Sequence, residues 1–391
     1  MMLRESCHEK WLTEDYKMRV LHISNGFCGS KVHANLCQAL DELGVEQVVY
    51  CPVRKEIQVG KNQFGGQGVS FVYSYCIRPW YKYVYHYKKW QLYHDMKKRI
   101  DLSQFDVIHA ATLFSDGGLA YKAYKEFGIP YMVTVRNTDI NLFIAKLWHT
   151  HTSGRKILKH ANKIIFISPA TLEKFKKTPF AKPVLKAIED KFVVQPNGIE
   201  DLWIQHVTHE HRGGHQLLYI GDFTPNKNVC RLIEAVSKVR TIKGYGDTML
   251  TIVGGGNDKN GITEKSIKRH TDFVDYLSRI DDKEKLCDIM SQCSLFVMPS
   301  IHETFGLVYL EALSQNLPVI YTLGEGIDGL FDETVGIGVH SKSVEEIRDA
   351  IITILSHPEK YGNFHVNFDD FNWKRIAAKY MQQFKEIVRS E

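Results

Sequence analysis

The sequence predicts an α/β protein built from two doubly wound parallel sheets. Three observations carry that expectation. Short apolar runs alternate with amphipathic stretches of helical length, the alternation stops at a polar segment and then restarts, and several apolar runs end on a glycine-bearing loop. A chain of 391 residues is too long for one compact core and suits two domains of similar size.

In chain order, residues 19–24 (RVLHIS) read as the first strand, followed by a glycine-containing loop over 25–30. A helix runs through 32–43 and stops at Gly44. Later strands are expected at 47–51, 107–109, 131–135, 163–167 and 192–195, and the helices between them imply crossovers and a parallel sheet. The segment 206–215 (HVTHEHRGGH) reads as a solvated linker, since its histidines match no closed zinc spacing. Strands recur at 216–220, which ends at Gly221, at 249–253, which ends in a glycine triplet, and at 295–298 and 319–321. The stretch 373–388 is amphipathic and expected to be helical. The division that follows is 1–205, 213–372 and a terminal helix over 373–391.

Composition narrows the class. Apolar residues at 44% and charged residues at 24% are ordinary for a soluble globular protein. No apolar run reaches the roughly 18 residues of a membrane span, and the first twenty residues, acidic early and without an apolar core, do not read as a secretory signal. Eight cysteines without a CxxC pair read as reduced thiols of a cytoplasmic protein. The net charge of +5 is uneven: residues 1–205 hold 29 lysines and arginines against 19 acids, and the remainder 21 against 26. A basic first half points to an anionic partner.

The stretch SIHETFGLVYLEAL, 300–313, follows an apolar strand that Pro299 ends. Gly306 lets a ligand approach the backbone, and the first-turn N–H groups of the helix after it suit an anion such as a diphosphate. Glu303 precedes that helix and Glu311 lies about two turns along it, roughly 12 Å away at about 1.5 Å per residue. This is too far for a carboxylate dyad on one bond and suits the two ends of an extended ligand. On the pattern alone, a dipole-favouring Glu303 and a solvated Glu311 fit equally well.

Together with Asn316-Leu317-Pro318-Val319-Ile320, the stretch resembles the EPFGLVYLEAM…GLPVI block and E-x7-E signature of the family-4 retaining glycosyltransferases. The resemblance implies the GT-B fold: two Rossmann-like domains facing across a cleft, with a C-terminal helix crossing back to the first. It implies that Glu303 meets the donor sugar, that Glu311 meets the ribose, and that Thr304, Phe305, Gly306 and Leu307 line the donor. The run 219–228 (YIGDFTPNKN) is similar to the family's VGRLxxxKG. Gly221 then borders the donor and Lys227 falls where a lysine grips the diphosphate, but Asp222 stands where an arginine is usual. PNGIE at 196–200 is similar to the family's PNGID turn, and Tyr276 falls in the segment that usually meets the base.

Other positions follow from the same resemblance. Gly29 occupies the first-domain loop that approaches the donor phosphate. Arg136 stands where T-x-H-G places a histidine; it cannot act as a base, but its charge suits a leaving or acceptor phosphate. Asp139 reads as an acceptor-side acid or a turn cap, and His109 as a cleft residue or a satisfied core histidine. Asp281 and Glu284 form a capping-box pair. The segment 78–99 holds seven aromatics and seven basic residues against one acid. It reads either as a core helix with a basic face or as a membrane-interface helix that turns Trp80, Lys88, Lys89 and Trp90 outward. No nucleic-acid signature accompanies it.

The reading is a retaining glycosyltransferase that moves a sugar from a nucleotide-sugar to a glycan acceptor. A lipid-linked acceptor at the cytoplasmic membrane face, in capsule or O-antigen assembly, is the favoured form. The alternatives are a soluble acceptor and a catalytically degenerate binding subunit. No Asp-x-Asp triplet occurs, so no metal or other cofactor is expected. Glu303, Lys227 and Arg136 are the residues expected to carry the chemistry.

Overall fold

The computed structural model describes residues 17–82, 84–210, 213–256 and 261–389. The opening residues read above for a leader, Tyr83 of the aromatic segment, and His211 and Arg212 of the linker lie outside the described residues. The chain divides into two compact units. The first takes the chain up to Ile167, Lys174–Gln195 and the C-terminal helix; the second takes Ser168–Glu173 and Pro196–Asn372.

The first unit holds seven parallel strands: β1 (Arg19–Ile23), β2 (Glu46–Val53), β3 (Val69–Tyr75), β4 (Val107–Ala110), β5 (Tyr131–Val135), β6 (Lys163–Phe166) and β7 (Phe192–Val194), in the order β3-β2-β1-β4-β5-β6-β7. The second holds β8 (Gln216–Asp222), β9 (Met249–Gly255), β10 (Val274–Leu277), β11 (Leu295–Val297), β12 (Val319–Thr322) and β13 (Gly336–Val339), in the order β10-β9-β8-β11-β12-β13 and again all parallel. β4, β5 and β11 are buried along their whole length, as expected of strands covered on both faces. In each sheet the order reverses once, between β1 and β4 and between β8 and β11. There the loops leaving neighbouring strands diverge and open a crevice at the carboxyl ends, which is where open α/β sheets bind ligands.

β3, β10 and β13 were not expected from the sequence, and all three are outermost strands. With one side uncovered they need no continuous apolar run: β3 is mostly half-buried and β10 is VDYL. The C-terminal helix Trp373–Arg389 places Trp373, Ile376, Ala377, Tyr380, Phe384, Ile387 and Val388 in one core with Val20, Leu36, Leu40, Val107, Met132 and Ile165. Its apolar stripe covers the first sheet, which is why so basic a helix is held there.

Two local readings change. The described part of 206–215 is largely exposed but is also tied to its neighbours: Ser314 O accepts from Thr208 N at 3.0 Å, and Asn316 and Gln315 donate to the carbonyls of His209 and His206. The cap of helix Lys283–Met290 is Asp282, which accepts from Lys285 N, rather than Asp281. No helix among the described residues is long and apolar enough to cross a membrane.

Candidate active site

At the β8/β11 reversal of the second unit, the loop after β8 carries Lys227 and the loop after β11 carries Glu303. Their side chains meet, Nζ to Oε2, at 2.7 Å, with 24% and 11% exposure. The glutamate's other oxygen accepts from Thr304 N at 3.0 Å. Asn228, left-handed at φ 61 and buried, donates to the carbonyls of Pro299 and Ser341, so the end of the Lys227 loop is fixed against its neighbours. Asn226 brackets His302, donating to its carbonyl at 2.8 Å and accepting from its N–H at 3.1 Å. The loop after β12 closes the group: Gly326 N donates to Glu303 O, and Glu325 accepts from Glu303 N and from His302 Nδ1.

Gly306 precedes helix Leu307–Ser314 at φ 76, and a Cβ there would sit 2.5 Å from the Tyr309 ring. Only glycine turns the chain here without strain. Tyr309 in turn donates to Met298 O at 2.6 Å, pinning the helix to the end of β11. Phe305 is buried, so its ring does not line an open donor site as expected; only its backbone remains for that role. Thr304 and Leu307 are half-buried. Glu311 is half-buried on the same helix. Burial pushes its pKa up to about 7, with Lys283 opposing and Glu200 adding to the rise. Lys283 and Glu200 are themselves paired.

Beside β8, the ends of β8 and β9 approach closely: a Cβ on Gly254 would fall 2.0 Å from Gly221 O. Tyr276, on the outermost strand β10, donates to Gly254 O at 3.3 Å and is partly exposed. Asp222 does not leave this corner without a guanidinium. Arg279, from the loop after β10, approaches it at 3.3 Å and also holds Asp281 at 3.1 Å.

In the first unit the expected residues separate. Arg136, half-buried after β5, donates Nε–H to Ala111 O at 2.9 Å, and burial lowers its pKa against the pull of Tyr380, Asp139 and Asp116. His109 does not line an opening. It is buried, with Nδ1 3.0 Å from His22 Nδ1 and its ring against Tyr380, and burial holds it neutral. Asp139 is not an open acceptor-side acid: its carboxylate accepts from the backbone N–H groups of Leu113, Phe114 and Arg136 at 3.0–3.1 Å, tying together the loops after β4 and β5. Gly29 is exposed in a short turn where a Cβ would meet open space, so no close approach requires glycine.

The segment 78–99, a short turn of helix over Pro79–Lys82 followed by helix Tyr85–Arg99, also divides its residues. Trp80 (48% exposed), Tyr87 and Trp90 (47%) stack outward in a ridge, with ring centroids 5.3 Å and 5.9 Å apart. Lys88 and Lys89, expected to face outward with them, turn inward. Their ammonium groups donate to Ser115 Oγ at 3.1 Å and Ser153 Oγ at 2.9 Å, and burial lowers the pKa of Lys89 to about 8. Among the described residues of 78–99 the exposed lysines and arginines are Arg78, Lys97, Lys98 and Arg99, of which Lys97 pairs with Glu126 and Arg99 with Asp95.

Sequence reasoning missed His302, which stands beside Glu303 in the same loop. It also missed the parts of Glu325, Lys283, Glu200 and Arg279, which reach the site from other loops or helices, so no local spacing announces them.

Known proteins resemble both units. Residues 204–368 match the model described as Glycosyl transferases group 1, and residues 29–201 match Glycosyltransferase Family 4. The chain is 24% identical over 337 residues, 82% of its length and 83% of the other's, to TuaC of Bacillus subtilis, named as a glycosyltransferase of teichuronic acid biosynthesis. It is 23% identical over 304 residues, 68% and 70% of the two lengths, to the alpha-monoglucosyldiacylglycerol synthase of Acholeplasma laidlawii. Among solved structures, the sucrose-phosphate synthase from Thermosynechococcus elongatus superposes with a TM-score of 0.69 at 17% identity, covering 96% of this chain and 100% of that one. The pneumococcal O-GlcNAc transferase GtfA, in complex with UDP and GlcNAc, gives 0.66 at 12%, covering 95% and 99%. At these identities the structures share the fold. The two matched models together span most of both units, and the chain belongs to the group 1, family-4 glycosyltransferases of the GT-B fold.

Proposed function

We propose that this glycosyltransferase takes its sugar from a nucleoside-diphosphate donor held at the β8/β11 crevice and transfers it with retention of configuration. The observation that carries the reading is the Lys227–Glu303 contact at 2.7 Å, one residue suited to phosphate and the other to sugar hydroxyls, at the switch point of the second sheet. Lys227 neutralises the diphosphate as a point charge, and the open first turn of helix Leu307–Ser314 adds N–H groups to it. Glu303 accepts from sugar hydroxyls, and Glu311 accepts from the ribose. As the sugar–oxygen bond breaks, these groups stabilise charge on the leaving diphosphate, and its oxygen takes the acceptor's proton. No residue at the crevice is assigned as a nucleophile, and the reading requires no metal.

For the acceptor we infer a lipid-linked glycan, met at the cytoplasmic membrane face during assembly of a surface polysaccharide. The support is the exposed Trp80–Tyr87–Trp90 ridge on a segment that also carries exposed Arg78, Lys97, Lys98 and Arg99, since aromatic rings and basic side chains together suit an anionic lipid interface. A relative named for teichuronic acid biosynthesis and another named for a glycolipid fit the same reading. The test is hydrolysis of a panel of UDP- and GDP-sugars without acceptor. One sugar nucleotide is expected to be cleaved well above the rest, and Lys227→Ala to abolish the cleavage. Cleavage that survives Lys227→Ala counts against the site.

A further inference from the structure

The network around Glu303 contains a group that the reaction described above does not use. His302 lies between Asn226, which fixes its backbone on both sides, and Glu325, whose Oε1 is 3.1 Å from its Nδ1. The Glu325 side chain is only 9% exposed, and its other oxygen accepts from Glu303 N at 3.2 Å. An ionised carboxylate only accepts, so it fixes the proton on Nδ1 and leaves Nε2 for whatever enters the crevice. The imidazole is 54% exposed, and Nε2 has no protein partner among the described residues.

Charge says what that nitrogen meets. The groups around His302 are Glu325 at 3.1 Å and, beside it, the Lys227–Glu303 pair. Lys227 is already matched by Glu303, and Arg279 is shared between Asp222 and Asp281. A diphosphate entering beside Lys227 and Arg279 therefore meets cations that are already paired with acids, while Arg231 is turned to Asn228 Oδ1 at 2.8 Å. The imidazole is the adjoining group that gains charge by taking one proton from solvent.

We propose that His302, oriented by Glu325, is a second cationic contact for the diphosphate and takes up a proton when the nucleotide binds. This rests on the donor reading above. The added proton stays on Nε2. When the bond from the sugar carbon to the diphosphate oxygen breaks, its electron pair remains on that oxygen, and the Nε2–H donates a hydrogen bond to the phosphate group. Glu325 is then a positioning residue that acts through His302 and the Glu303 backbone.

The experiment is calorimetric titration of the full chain with UDP and with GDP at pH 8, where an ordinary imidazole is neutral. It is run in two buffers of different ionisation enthalpy. The wild type is expected to take up a measurable fraction of a proton per nucleotide. His302→Gln should take up none and bind five- to tenfold more weakly, Glu325→Gln should reduce the uptake, and His302→Lys should restore affinity without uptake. Equal uptake in wild type and His302→Gln overturns the proposal, as does unchanged affinity in His302→Gln at an unchanged melting temperature. If neither nucleotide binds the wild type, the donor reading itself fails, and that result is separate from both.

Discussion

Replacing Glu303 by glutamine separates two roles that a deletion would merge. In the structure the glutamate holds Lys227 at 2.7 Å with 24% and 11% exposure. At an effective dielectric of about 20 the gross attraction at that distance is about 6 kcal/mol. Desolvation and side-chain ordering offset most of it, leaving a net of about 1 kcal/mol for a pair this close to solvent. The incoming diphosphate must share or displace that pair. Glu303→Gln is therefore expected to tighten UDP or GDP binding by about fivefold, which is about 1 kcal/mol. Transfer moves the other way. A charged hydrogen bond to the sugar is worth about 1.5–3 kcal/mol, so kcat/KM should fall about 10- to 150-fold, and Glu303→Ala should abolish transfer with the fold retained. Titration calorimetry, initial rates and a thermal melt on the same preparations read all three. Near-normal turnover in Glu303→Ala refutes the sugar role, and weaker nucleotide binding in Glu303→Gln refutes the idea that the pair stands in for phosphate.

Three further outcomes follow. Gly306→Ala puts a side chain at φ 76, 2.5 Å from the Tyr309 ring; we expect a loss of about 2 kcal/mol, read as a melting temperature several degrees lower, with transfer impaired. Glu311 has its folded pKa raised to about 7 by burial from an ordinary 4.5, so the stability it contributes is fully present below pH 4.5 and lost as pH rises through about 7. Glu311→Gln should melt above wild type at pH 8 and level with it at pH 4.5, and a difference constant across that window contradicts the assignment. Alanine at Trp80, Tyr87 and Trp90 together should reduce flotation with anionic phospholipid vesicles, and unchanged flotation removes the support for membrane contact.

How much was legible follows from physical position. The central strands announce themselves because both faces are covered, so their sequences are continuous apolar runs such as YMVTV in β5. Outer strands such as β10 lack that constraint and pass for loops. Lys227, Glu303 and Glu311 were expected at one site because they sit in one register of a known motif; the structure brings the first two into contact and turns the chain at Gly306 with φ 76. His109 and Asp139 each kept two readings open for the opposite reason. A titratable residue at a strand end looks the same in sequence whether it faces a ligand or is buried under a helix with its hydrogen bonds satisfied. Lys88 and Lys89 share that ambiguity, since a basic aromatic helix does not say which of its lysines find serines inside. Glu325 and Arg279 depend on contacts between separate loops.

The central claim is that the crevice between β8 and β11 holds a nucleoside diphosphate. Titration of the wild type and Lys227→Ala with UDP and GDP tests it most directly. The account predicts that one of the two nucleotides binds at one site per chain and that Lys227→Ala weakens it at least tenfold. Binding of neither nucleotide, or equal binding by the variant, contradicts it.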